Sequence, residues 1–431
     1  MSISRKLRAV MRIPFYQLAL CLILASNTST IFAADPPLSL SDAQHLAVTR
    51  SHQLTGQDNA ISAAREMAIA ARQMPDPIIK FGVDNLPVNG ADRFSLGSDF
   101  MTMRRVGIMQ EITRTEKLSN RATQFDISAQ KTLAEKSLNI VSIQRDTALA
   151  WLERYYTEKQ LVLITLQLEQ TKLENQAAQS GYKGGRNSQA DVLTAESAVA
   201  MMEDRQIEIQ AKLINAKTQL FRWVGAAADG VLAEAPELAH VDVANADLSK
   251  QMSHHPQLNI LAKQEQLANA EANLARANKQ PDWTVEINYQ QRGAAYSNML
   301  SVGFSLPLQW DQPQRQNREL SAKLALAAQA GSDRLESERM LVAETQNTYT
   351  EWRSKRDRLA RFQTTLVPLA QQRVRADLAA YRGGKLTLSE LLASQNKEIE
   401  TRLQSLQLDA DAAKLWATLQ FLLPNLSTFP R

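Results

Sequence analysis

One segment of this chain occurs twice. Tyr182-Lys183-Gly184-Gly185-Arg186 is followed by Asp191-Val192-Leu193, and 199 residues on, Tyr381-Arg382-Gly383-Gly384-Lys385 is followed by Glu390-Leu391-Leu392. Two weaker echoes keep nearly the same spacing: Val106-Gly107-Ile108 with Val302-Gly303-Phe304, and Pro75-Asp76 with Pro281-Asp282. A long fixed period points to one structural unit written twice. The fold must therefore have two similar halves, each built around its own Gly-Gly break.

The first unit is expected over residues 35–232. A short helix begins near Ser39 or Ser41, and a second runs from about Asn59 to Gln73 until Met74-Pro75-Asp76-Pro77 stops it. Residues 77–112 carry two extended segments of alternating character, with a polar link from Asn85 to Arg93 between them. Residues 118–225 form a long helical hairpin broken at Gly184-Gly185. Its first arm is about 60 residues without proline or glycine, roughly 90 Å at 1.5 Å per residue. Ser188 is placed to cap the second arm, with Asp191 at the third helical position.

The second unit, 233–424, repeats that order. Its strands fall within 283–309, and its helical hairpin spans 320–423, interrupted at Gly331 and Pro368. Thr387 or Ser389 starts the last helix. Residues 425–431 are a tail. Strands of 9 to 11 residues are expected, the length of a tilted membrane-spanning strand. Trp283, Tyr289, Tyr296, Phe304 and Trp310 fall near strand ends and loops, where aromatic belts form.

Residues 1–34 read as a secretory signal, with Arg5, Lys6, Arg8 and Arg12 ahead of an apolar stretch from Phe15 to Ala25. Cys21, the one cysteine, follows Leu20 where a lipidation signal needs a small residue, so it reads as part of the apolar stretch. The mature chain then has no thiol for a disulfide or a metal. Lys and Arg number 49 against 45 Asp and Glu, a net charge of +4 that does not suggest nucleic acid binding.

Each half offers two strands, so the chain offers four. A four-stranded sheet has two open edges, and hydrocarbon tolerates no open edge. Four strands are too few to close around a channel, whereas three copies give twelve. The long helices mix Leu, Ile, Val and Ala with Gln, Arg and Glu, as in a coiled coil or the wall of a helical tube. A periplasmic coiled-coil scaffold without a pore, or an adaptor protein, is the alternative. An adaptor needs a compact β-rich domain flanking one helical hairpin, and this chain has two matched halves.

The order of helix, strand pair, long helix, Gly turn and shorter helix, written twice behind a signal, resembles the TolC-like outer membrane efflux protein family. The resemblance spans about residues 38–424. Its carriers are the two tips, the phrase Val106-Gly107-Ile108-Met109-Gln110-Glu111, and the strand ending in Leu306-Pro307-Leu308. It implies a mixed α/β membrane protein, a homotrimer whose four strands per protomer close a 12-stranded outer-membrane β-barrel above a long periplasmic α-helical barrel. The family's ducts lie in outer membrane lipid and work with a periplasmic adaptor and an inner-membrane pump, here of RND type. They conduct passively, with no enzyme activity and no cofactor. The overall look is closest to the branch exporting heavy-metal cations; drugs, dyes and polypeptides stay open as cargo. One departure stands out: the family's Pro- and Gly-rich exit from the barrel is here Glu111-Ile112-Thr113-Arg114-Thr115-Glu116-Lys117.

By motif position, Glu390 matches an acidic gate residue of the family, a second gate position falls at Ala393, and Asp191 is the first-half counterpart of Glu390. Both carboxylates also fit plain helix caps. The tips, Tyr182 to Arg186 (Tyr182, Lys183, Gly184, Gly185, Arg186) and Tyr381 to Lys385 (Tyr381, Arg382, Gly383, Gly384, Lys385), are implied adaptor-docking points. His254-His255 is read as a helix start rather than a metal site, since neighbouring side chains do not converge. The sequence contains no phosphate loop, His-Glu-x-x-His or Gly-x-Ser-x-Gly pattern.

Overall fold

The computed structural model describes residues 36–236, 252 and 254–423. The expectations for the signal, for Cys21 and for the tail 425–431 lie outside the described residues.

Helix α1 (Leu40–Thr49) starts at Ser39, whose hydroxyl accepts from the Asp42 amide at 3.1 Å. Helix α2 (His52–Ala71) begins seven residues before the expected Asn59, because Ser51 supplies a cap that the polar run after it hides. Two prolines then release the chain into β1 (Ile78–Asp84). A long loop leads to β2 (Met103–Ile112), and the second half adds β3 (Trp283–Gln291) and β4 (Met299–Ser305). The strands form one antiparallel sheet in the order β1-β2-β3-β4, with β1 and β4 at its edges. They hold 7, 10, 9 and 7 residues, so two are shorter than expected. Asn85, at φ 55°, turns the backbone out of the ladder after β1, and β4 ends at Ser305 rather than Leu308 because Pro307 has no amide to donate.

Helix α3 (Thr115–Lys183) has 69 residues, about 100 Å at 1.5 Å per residue. It folds back on α4 (Gln189–Val224). Its start is fixed from the other half: Asp282 accepts the Arg114 amide at 3.0 Å and pairs with Lys117 at 2.7 Å. This carboxylate, brought in from the strand-β3 side, does the work of the absent proline-glycine turn.

Helix α5 (Pro256–Ala277) precedes β3. Helix α6 (Gln316–Arg361) follows β4, then a five-residue π-helical turn, Phe362–Leu366, then α7 (Val367–Arg382) and α8 (Leu388–Leu422). The expected break at Gly331 does not occur, since a single glycine costs a well-packed helix only about 1 kcal/mol. The break before Pro368 is the π turn, which absorbs the ring and the missing amide without ending the rod.

Burial on α4 recurs at Ala195, Met202, Ile209 and Ala216, and on α3 at Thr157, Ile164, Thr171 and Ala178. A seven-residue repeat marks a left-handed coiled coil. Ile164, Leu168, Met202, Ile209 and Ile399 share one cluster, so α8 joins this seam. Further along, Trp151 is fully buried with Leu220 and Ala413, stacks on Tyr155 at 5.2 Å and donates its indole N–H to the Leu38 carbonyl at 3.0 Å. Arg154 bonds the carbonyls of Ala228 and Gly230, tying the segment that leaves α4 to α3.

Candidate functional site: the hairpin tips and the two-faced sheet

Both tips turn with the same hydrogen bonds. At the first, Gly184 N–H donates to Ser180 O (3.1 Å), Gly185 N–H to Tyr182 O (2.9 Å) and Arg186 N–H to Gly181 O (2.8 Å). At the second, Gly383 donates to Ala379 (3.0 Å), Gly384 to Tyr381 (3.0 Å) and Lys385 to Ala380 (2.9 Å). Gly185 and Gly384 have φ of 72° and 70°, left-handed conformations that disfavour any residue with a Cβ. Tyr182 lies half exposed beside its turn, while Tyr381 packs into a cluster with Ala178, Ala195, Leu388, Leu391 and Leu392. Lys183, Arg186, Arg382 and Lys385 are exposed.

The acidic residues complete the caps. Asp191 Oδ2 accepts from the Ser188 amide at 2.9 Å and its hydroxyl at 2.7 Å; Glu390 Oε2 accepts from the Thr387 amide at 2.9 Å and hydroxyl at 2.7 Å. Bonds from the Thr387 backbone and then its side chain hold the Glu390 carboxyl below its ordinary value. Each carboxylate is turned back onto its own helix start. Asp191 and Glu390 lie in separate caps, and the structure brings neither to the other.

Sequence reasoning missed the contact between the tips. Asn187 Nδ2 donates to Ala178 O at 3.3 Å and reaches the Tyr381 hydroxyl at 3.5 Å, sitting over Gly181, where an added Cβ would stand 2.6 Å from that nitrogen. The available signal was a departure from the repeat, since Ala380 and Leu386 occupy the matching positions. One turn further from the tip, Glu174 accepts from Gln170 at 2.9 Å and Gln395 at 2.5 Å, and burial raises its pKa.

His255 caps α5, its Nδ1 accepting from Gln257 N at 3.2 Å, and burial lowers its pKa. His254 precedes it, outside the helix. Among the described residues, no three His, Cys, Asp or Glu side chains converge as a metal site.

The sheet has two unlike faces. Register places Ile79, Phe81 and Val83 of β1 on the same face as Val106 and Ile108 of β2, Val285, Ile287 and Tyr289 of β3, and Leu300, Val302 and Phe304 of β4. This apolar face is open: Phe81 is 77% exposed, Phe304 72% and Leu300 69%. Trp283 and Phe304 pack on it with ring centres 6.3 Å apart, and Tyr289 lies two residues from the end of β3, opposite Leu300. The face's polar residues lie at its margins, with Arg104 opposite Gln291 at the loop end and Gln110 at the helix end bonding Pro75 O at 2.8 Å. The opposite face carries Lys80, Asp84, Arg105, Glu286, Asn288 and Ser301, joined by ion pairs and hydrogen bonds. None of the described helices is long and apolar enough to cross a membrane.

Residues 248–425 match the family model described as "Outer membrane efflux protein". No curated protein matches the chain by sequence. Among solved structures, it is similar to the transmembrane channel protein CusC (14% identity, TM-score 0.73, covering 89% of this chain and 91% of that one). It is also similar to the outer membrane protein VceC of Vibrio cholerae (17% identity, TM-score 0.73, 89% and 95%). A third is the outer membrane channel MtrE of Neisseria gonorrhoeae (13% identity, TM-score 0.69, 89% and 88%). At such identities these likenesses show the fold, while the family match rests on the second half. The resemblance to the TolC-like outer membrane efflux family thus stands on two counts, a family signature over residues 248–425 and a shared fold over most of the chain.

Proposed function

We propose that this chain is the outer-membrane exit duct of a tripartite efflux system. The observation that carries this reading is the sheet: four antiparallel strands with an exposed apolar face, an ion-paired opposite face and two open edges. Apolar surface of this kind is stable against lipid, and the edges of β1 and β4 are met when three protomers pair edge to edge into a 12-stranded barrel. The paired hairpins, with their seven-residue burial repeat, then continue the barrel as a helical tube across the periplasm. The recurrence of strand pair and helical hairpin in one chain supports reading 35–232 and 233–424 as a duplicated unit.

Cargo enters at the tips. The exposed Lys183, Arg186, Arg382 and Lys385 are docking points for the periplasmic adaptor, and an RND-type inner-membrane pump supplies the energy. Glu390, and less directly Asp191, narrow the entrance only where their carboxylates leave their caps; Glu390→Ala then changes cation selectivity or block by multivalent cations, and unchanged behaviour in both removes the gate. Heavy-metal cations are the proposed cargo class, tested by comparing metal and drug sensitivity of a deletion strain.

Membrane fractionation followed by conductance in planar bilayers tests the duct itself. A trimer in the outer membrane that forms steady channels is the expected result. A soluble monomer with no conductance overturns it in favour of a periplasmic scaffold.

A further inference from the structure

The Val-Gly-Ile echo has a place in the sheet that the duct reading alone does not use. Gly107 stands opposite Lys80 on one side and Asn288 on the other, on the polar face. Lys80 reaches across β2 to Glu286 on β3, its Nζ 2.8 Å from Oε2, while Asn288 Nδ2 donates to Oε1 of the same carboxylate at 2.9 Å. Strands lie 4.7–4.9 Å apart, so this bridge spans two strand spacings, about 10 Å. It lies flat because nothing rises between its ends: a Cβ on Gly107 would stand 2.0 Å from Asn288 Oδ1. That oxygen is buried with no N–H or O–H donor and rests over the Gly107 backbone, where a Cα–H contact is what it can accept.

Two residues toward the loops, Arg105 pairs with Asp84 at 3.4 Å. At these levels two cations face two anions; Glu111 lies apart, at the helix end, and accepts from Thr113 at 3.2 Å. Lys80 and Glu286 are only partly covered, 32% and 25% exposed along their side chains, so the pair borders open space.

We infer that Lys80, Glu286 and Asn288, laid flat over Gly107, form a charge-compensated belt that sets the ion selectivity of the duct at the level of the barrel. The inference rests on the duct reading, which places this face toward the lumen. Three such belts would line the pore with bound charge and no net field, passing small solutes of either sign. Removing one partner leaves three like charges facing the lumen, the arrangement that makes a pore selective.

The test is reversal potential in a KCl gradient, using the full chain in planar bilayers. Glu286→Gln is expected to move the cation-to-anion permeability ratio toward anions, and Lys80→Gln toward cations, each by about twofold or more. Charges can also be set after assembly: Glu286→Cys is labelled in the folded channel with a negatively charged thiol reagent, which restores the wild-type ratio, or a positively charged one, which drives it further toward anions. Conducting variants that keep the wild-type ratio, or that both move the same way, overturn the belt. A wild-type protein that does not conduct overturns the duct reading instead.

Discussion

At Gly184-Gly185 and at Gly383-Gly384 the chain turns with the same hydrogen bonds, yet the two turns are fastened by different physics. The first is held by a polar side chain, Asn187, laid over Gly181 and touching the Tyr381 hydroxyl. The second replaces these with Leu386 and Ala380 and packs Leu378, Tyr381 and Leu386 against Leu388, Leu391 and Leu392. Val192 matches Leu391 by position and is half-buried, where Leu391 is 2% exposed. The two turns share one backbone pattern, and each has its own fastening. Apolar contact is indifferent to direction, whereas a hydrogen bond fails after a small displacement, and the tips are joined by both, since Ala178 and Ala195 of the first hairpin share the cluster of Tyr381 and Leu391.

The largest effect is expected where the fastenings differ most. Leu391→Ala should destabilise the second tip by about 3 kcal/mol through the cavity it leaves, and Val192→Ala the first by about 1 kcal/mol. Hydrogen exchange of the tip amides measures both, and equal losses would mean the tips are fastened alike. The next effect should be the same in both copies. Gly185→Val and Gly384→Val each meet open space, so each costs backbone strain alone, about 2 kcal/mol. Unequal losses in thermal melting would show that the shared turn is not equivalent after all. Asn187→Ala should cost about 1 kcal/mol and raise exchange at both tips, because it removes the contact to Tyr381.

The smallest effect is that of pH on the second cap. The Glu390 carboxyl is held below its ordinary value of 4.5 by its bonds from Thr387. Its contribution is therefore complete above 4.5 and is lost as pH falls below 4.5 through the lowered value. Amide protection at the start of α8 should fall over the same range, and Glu390→Gln should abolish this dependence.

Much of this was legible in the sequence because it is local. The Gly-Gly turns, the Ser188 and Thr387 caps and the alternating pattern of each strand all depend on residues within a few positions. The positions of Asp282 at the start of α3, of Asn187 against Tyr381 and of Lys80 against Glu286 were not legible, since their partners are 165 or more residues away. The early start of α2 was hidden by a polar first turn, and the end of β4 was missed by reading apolar content past a proline. Glu390 shows a further limit: its type and spacing suited two roles, and the geometry displays the cap.

The π turn at Phe362–Leu366 has one more consequence. Each residue of an α-helix advances the rod by about 100° about its axis, so one extra residue rotates everything beyond it relative to everything before. Helix α6 packs along both α5 and α8, and α7 continues along α8, bringing Leu378 and Tyr381 to the tip cluster. The turn therefore sets the phase of α7 against that of α6, and with it which residues of the rod meet α8 beyond Leu366.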